Sequence, residues 1–137
     1  MARGRTPRTR VASLARAIHR QNLASMSATR LARYLGRSGE LYFPPQVELA
    51  RELAKAGIRG DEAARAVRAI MFVVGGFLLL EDSYERREAV PGAVGELWRT
   101  FDDPAIDDRL RRAMSQPVLP AGMLDYTIDR LLASIIR

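Results

Sequence analysis

Three features of the sequence predict an all-α protein, a bundle of six or seven helices. Apolar residues recur at i, i+3 and i+4 through most of the chain, the spacing of helices that bury one side. Start and stop signals cut these runs into helix-sized pieces: Thr6-Pro7 precedes the first, and Gly36 and Gly57 follow the second and third. No stretch alternates apolar and polar residues long enough to make a strand.

The first helix opens at Thr6-Pro7, a capping hydroxyl followed by a proline whose missing N–H costs nothing there, and carries Val11, Leu14, Ala15 and Ile18 on one side. A shorter helix begins near Ser27, places Ala28, Leu31, Ala32 and Leu35 together, and stops at Gly36. Arg37 to Phe43 is expected to be a loop. Pro44-Pro45 then starts a third helix, with Leu49, Ala50, Leu53 and Ala54 apolar and Gly57 as its stop. The fourth, Gly60 to Tyr84, has Asp61 and Glu62 in its first turn, where the helix dipole favours negative charge. Ala63, Ala66, Val67, Ile70, Met71 and Val74 mark its inner side. Glu85 to Gly95 reads as a charged connection, followed by an apolar patch at Leu97, Trp98 and Phe101. Asp103-Pro104 opens a helix that turns Ile106, Leu110, Ala113 and Met114 inward and ends at Pro117 and Pro120. The last helix, Ala121 to Ile136, is apolar at Leu124, Ile128, Leu131, Leu132, Ile135 and Ile136.

The fourth helix is apolar all round from Ala69 to Leu80, so that half needs cover on every side. Gly75-Gly76 interrupts it, and each glycine costs about 1 kcal/mol against alanine in a helix interior. Close approach of another helix, in the same subunit or in a second one, or a kink would offset that cost. Together with the apolar last helix, the pair suggests a four-helix dimer interface, two helices from each chain.

Composition narrows the function. The 137 residues are 47% hydrophobic, in the globular range, and contain no cysteine and one histidine. Disulfides, thiolate metal sites, cysteine nucleophiles and multi-histidine centres are therefore excluded. The longest uninterrupted apolar run has 12 residues, short of the ~20 that span a bilayer, and the basic start is followed by more arginine, not an apolar signal segment. A soluble, cytoplasmic domain is expected. The net charge of +6 is uneven: Met1 to Gly39 holds nine arginines and no acid, which leaves the remainder acidic. Such an end is a solvated terminus or a contact for nucleic acid, although it lacks interleaved aromatics for stacking bases.

Nothing indicates catalysis, and no cofactor is expected. In the acid pairs Glu81-Asp82, Asp102-Asp103 and Asp107-Asp108, adjacent helical residues point about 100° apart, unsuited to work across one substrate. They read as helix caps and, for Glu81, Asp82 and Glu85, as the exposed end of the fourth helix. His19 lies at the edge of the first helix's apolar stripe. Gly75-Gly76 lacks the spacing and the following lysine of a phosphate loop.

The order of elements is itself informative. Short helices precede a long one of the form Ala56-Gly-Ile-Arg-Gly-Asp-Glu-Ala-Ala-Arg-Ala-Val-Arg-Ala69, continuing into Phe72-Val-Val-Gly-Gly-Phe-Leu-Leu-Leu-Glu-Asp82. The chain closes on Leu124-Asp-Tyr-Thr-Ile-Asp-Arg-Leu-Leu-Ala-Ser-Ile-Ile136. This resembles the C-terminal effector-binding and dimerisation domain of tetracycline-repressor (TetR) family transcriptional regulators. Thr127 and Ser134 stand where that family favours glycine. The resemblance covers residues 7–137, with 1–6 as a flexible basic start, and the family's helix-turn-helix has no counterpart here. It implies a homodimer through Val73, Gly76, Phe77 and Leu80 of the fourth helix and Leu124, Ile128, Leu131 and Ile135 of the last. It also implies a small, mostly apolar effector, with Leu31, Tyr34, Phe43, Val47, Met71, Phe72 and Trp98 as pocket candidates. DNA would be reached only through a helix-turn-helix module, and no membrane contact is implied. Two alternatives stay open: a stand-alone helical interaction protein, and a small nucleic-acid-binding protein using the arginine-rich first helix.

Overall fold

A computed structural model describes residues 2–88, 90 and 92–137. Among them are seven helices and no strand: α1 (Pro7–Ala24), α2 (Met26–Tyr34), α3 (Ser38–Lys55), α4 (Gly60–Glu85), α5 (Ala93–Thr100), α6 (Asp108–Met114) and α7 (Pro120–Ile135). α4 is the hub, packed by α1, α3 and α7, and α1 also meets α3 and α7. The core lies between these four, with Val11, Ala15, Leu49, Leu53, Ile70, Val74, Ile128 and Leu132 fully buried. At 26 residues α4 is long and apolar enough to cross a membrane by length and composition, which its 12-residue apolar run alone does not suggest. In this bundle its Ile70, Val74 and Leu78 are core.

Local signals act where the sequence places them. The Thr6 side chain accepts from the Thr9 backbone N–H while the Thr9 hydroxyl accepts from that of Thr6, a reciprocal cap with Pro7 behind it. α3 ends on Gly57, whose φ of +83° closes a paired C-terminal cap: Ile58 N–H donates to the Leu53 carbonyl at 3.0 Å and Gly57 N–H to that of Ala54 at 3.0 Å. Ile58 is thereby pressed into the core.

In the basic start, Arg3 N–H donates to the Ser13 hydroxyl at 3.1 Å and Ala2 packs on the core. Three expectations are corrected. Arg37 to Phe43 is not a loop, because α3 begins at Ser38 and carries Pro44-Pro45 inside it. The prolines deprive the Glu40 and Leu41 carbonyls of their helical partners, and the segment lies at the surface, where water serves them. The connection after α4 is shorter than expected, because α5 already begins at Ala93. Asp103-Pro104 starts no helix: the Asp103 carboxylate accepts from Ala105 N–H in a tight turn, and Asp107 caps α6 through Leu110 N–H, each at 2.8 Å.

α5 and α6 pack principally on each other. They cross where Gly95 meets Ser115, since a Cβ on Gly95 would lie 2.8 Å from the Ser115 carbonyl oxygen. Leu110, Ala113 and Met114, expected to face inward, are exposed, because a two-helix hairpin has no third layer to cover them. Trp98 meets Phe101 edge-to-face with ring centroids 5.8 Å apart.

Candidate ligand-binding groove and open helix face

The apolar middle of α4 is covered on one side only. Ile70, Val74 and Leu78 are buried, Val73 and Phe77 are half-buried, whereas Phe72 is 78% exposed, Leu79 52% and Gly76 also open. A Cβ added to Gly75 or Gly76 would meet nothing within 4 Å. A tight crossing within this chain is therefore not what the glycines serve, and α4 runs unbroken through both. Leu124 and Ile128, assigned to a dimer interface from the sequence, are spent in the subunit's own core, out of a partner's reach. Leu131 and Ile135 are half-buried against it, and Leu80 is partly exposed.

The open side of α4 borders a groove of about 500 Å³ walled by α2, α3 and α4. Its apolar lining comes from Met26, Met71, Phe72, Leu78 and Leu79, and its polar groups from Thr29, Arg33, Ser38, Tyr42, Gln46 and Asp82. That volume and mix suit a small organic molecule. A second groove, about 570 Å³, lies between α1, α2 and α3 and takes in Phe43 and Val47. The seven pocket residues expected from the sequence thus do not share one cavity. Met71 and Phe72 line the first groove, Phe43 and Val47 the second, Trp98 sits on α5, and Leu31 and Tyr34 line neither.

The displacement of Leu31 and Tyr34 has a clear cause. α2 turns Met26, Thr29, Arg30 and Arg33 toward the bundle, leaving Leu31, Tyr34 (88% exposed) and Leu35 outside. What selects that orientation is Asp82 of α4, only 5% exposed. Arg30 Nε donates to its Oδ1 at 2.7 Å and Arg33 Nη2 to its Oδ2 at 3.3 Å. A buried carboxylate without such partners would cost several kcal/mol, which offsets leaving Leu31, Tyr34 and Leu35 largely exposed. The Arg30 hydrogen bond holds the Asp82 carboxyl below the usual carboxylate range against the opposing effect of burial.

Asp82 and Glu81 are accordingly not part of a solvated acidic tip, whereas Glu85 is exposed as expected. Glu81 Oε2 lies 2.6 Å from Nε2 of His19, itself buried, and Glu85 meets Arg30 at 3.3 Å. Elsewhere Glu52 is held between Lys55 and Arg10, which depress its pKa, and Arg16 joins α1 to Asp125 and Asp129 of α7. Five of the nine N-terminal arginines (Arg10, Arg16, Arg30, Arg33 and Arg37) thus face carboxylates of this chain. The Tyr42 phenol is pushed up by burial, with nearby Arg33 pulling it back.

Sequence reasoning missed Arg33, Tyr42 and Gln46. The available signal was the i, i+3 pair Arg30 and Arg33 on the side of α2 opposite Leu31 and Leu35. Among the described residues no group of three or more His, Asp or Glu side chains is placed to hold a metal ion. No protein-family model, curated protein or solved structure matches the chain.

Proposed function

We propose that this chain is the effector-binding and dimerising part of a TetR-like regulator. Two copies meet across the open face of α4, and a small molecule in the adjoining groove biases their arrangement. DNA is then contacted only through a helix-turn-helix module outside this chain, in the cytoplasm. The observation that carries this reading is the unfilled space at Gly76, flanked by exposed Phe72 and Leu79. Glycine there costs helix stability and returns nothing within the subunit, whereas a second helix backbone approaching it would offset that cost. Because Phe72 and Leu79 also wall the groove, a ligand there sits beside the partner, which gives it differential affinity for one dimer arrangement.

The test is solution mass by light scattering at micromolar concentration. The unmodified chain is expected to be a dimer, and Gly76→Leu a monomer with undiminished helical circular dichroism, since the new side chain meets nothing in its own subunit. A monomeric unmodified chain would overturn the reading. The outward stripe of Leu31, Tyr34 and Leu35 on α2 would then favour a helical protein-interaction module instead.

A further inference from the structure

We infer that the α2–α3–α4 groove takes an amphipathic anion, a single carboxylate on an apolar tail. This rests on the effector-binding reading above and names the ligand class. The inference comes from the inventory of donors and acceptors in the lining. Asp82 is its one carboxylate, and both of its oxygens are already engaged, Oδ1 by Arg30 and Oδ2 by Arg33. A cationic head group would find that carboxylate's charge already met by two guanidiniums. Arg33, by contrast, has five N–H donors and spends one of them on Asp82. Arg30 makes the closer contact with Asp82 and also meets Glu85 at 3.3 Å, so Arg33 is the guanidinium of the pair with donors left free. Tyr42 and Gln46, each with a donor in its side chain, line the same groove.

An acceptor-only head group matches such a set of donors, and a planar carboxylate matches the guanidinium fork. The rest of the wall is apolar: Met71, Phe72, Leu78, Leu79 and the bare backbone of Gly75. Gly75 and Gly76 both line the groove, Gly75 half-buried and Gly76 exposed.

Isothermal titration of the whole chain with decanoate, decan-1-ol and decylamine, each below its micellar concentration, tests this. Decanoate is expected to bind at least about tenfold more tightly than decylamine. Arg33→Gln should weaken decanoate about tenfold and leave decan-1-ol unchanged, Arg30 still covering Asp82. Gly75→Leu, whose side chain has free space to enter the groove, should abolish binding of both. Decylamine binding as tightly as decanoate, or decanoate indifferent to Arg33→Gln, overturns the anion assignment. Binding of decan-1-ol alone also overturns it, yet leaves the effector-binding reading standing. No binding by any of the three overturns the assignment too, and if the chain is also monomeric, the reading falls with it.

Discussion

Ile70→Ala is expected to destabilise the protein by about 4 kcal/mol, read as a lower urea midpoint with little change in slope. Ile70 is fully buried on the inner side of α4, the helix that α1, α3 and α7 all pack against. Four helices meeting there leave little freedom to collapse into the space lost, which places the site toward the upper end of large-to-small costs. Phe72→Ala, only two residues along the same helix, removes a larger side chain. It should nevertheless shift stability by no more than about 0.5 kcal/mol at concentrations where the chain is monomeric, since Phe72 touches solvent over most of its surface. Similar losses from the two would mean that the side of α4 turned inward is not the one described.

Asp82→Ala is expected to cost about 2–3 kcal/mol at neutral pH, by chemical denaturation. The loss is less than for a wholly enclosed ion pair, because both guanidiniums are about one-third exposed and can be partly rehydrated. The effect carries a pH signature. Asp82 has a pKa lowered by folding, so its stabilisation is complete above the ordinary carboxylate range and disappears as pH falls through the depressed value. The difference between the parent chain and Asp82→Ala should therefore shrink between neutral pH and about pH 3. Glu52, also held low by Lys55 and Arg10, is common to both proteins and cancels from the comparison. A difference that stayed constant with pH would show that Asp82 acts through packing rather than charge.

What could be foreseen divides along the range of the interactions involved. Thr6-Pro7, Gly57 and the acids at Asp61 and Glu62 act within one helical turn, and the helix ends they mark lie where expected. The orientation of α2 is set by a carboxylate 52 residues away from Arg30, which no periodicity contains. Its tidy apolar stripe at Ala28, Leu31, Ala32 and Leu35 pointed to the wrong side as a result. The α4 wall of the groove, Met71 and Phe72, was legible as part of the apolar run. Arg33, Tyr42 and Gln46 were not, because they reach the same groove from α2 and α3 only once Asp82 has turned α2. The fourth and last helices do pack together as expected, but within one subunit they already consume Leu124 and Ile128.

The separateness of the α5–α6 hairpin bears on how this protein's unfolding is observed. Trp98 is the single tryptophan and belongs to α5, outside both groove linings. The hairpin is secured mainly by the Gly95–Ser115 crossing and one aromatic pair, so it opens locally at lower free energy than the four-helix core. Indole emission consequently follows a small cooperative unit, while far-ultraviolet dichroism is dominated by α1, α3, α4 and α7. The two melting curves then have different midpoints within a single chain, and the optical signal most convenient to record describes the part that matters least to the stability of the whole.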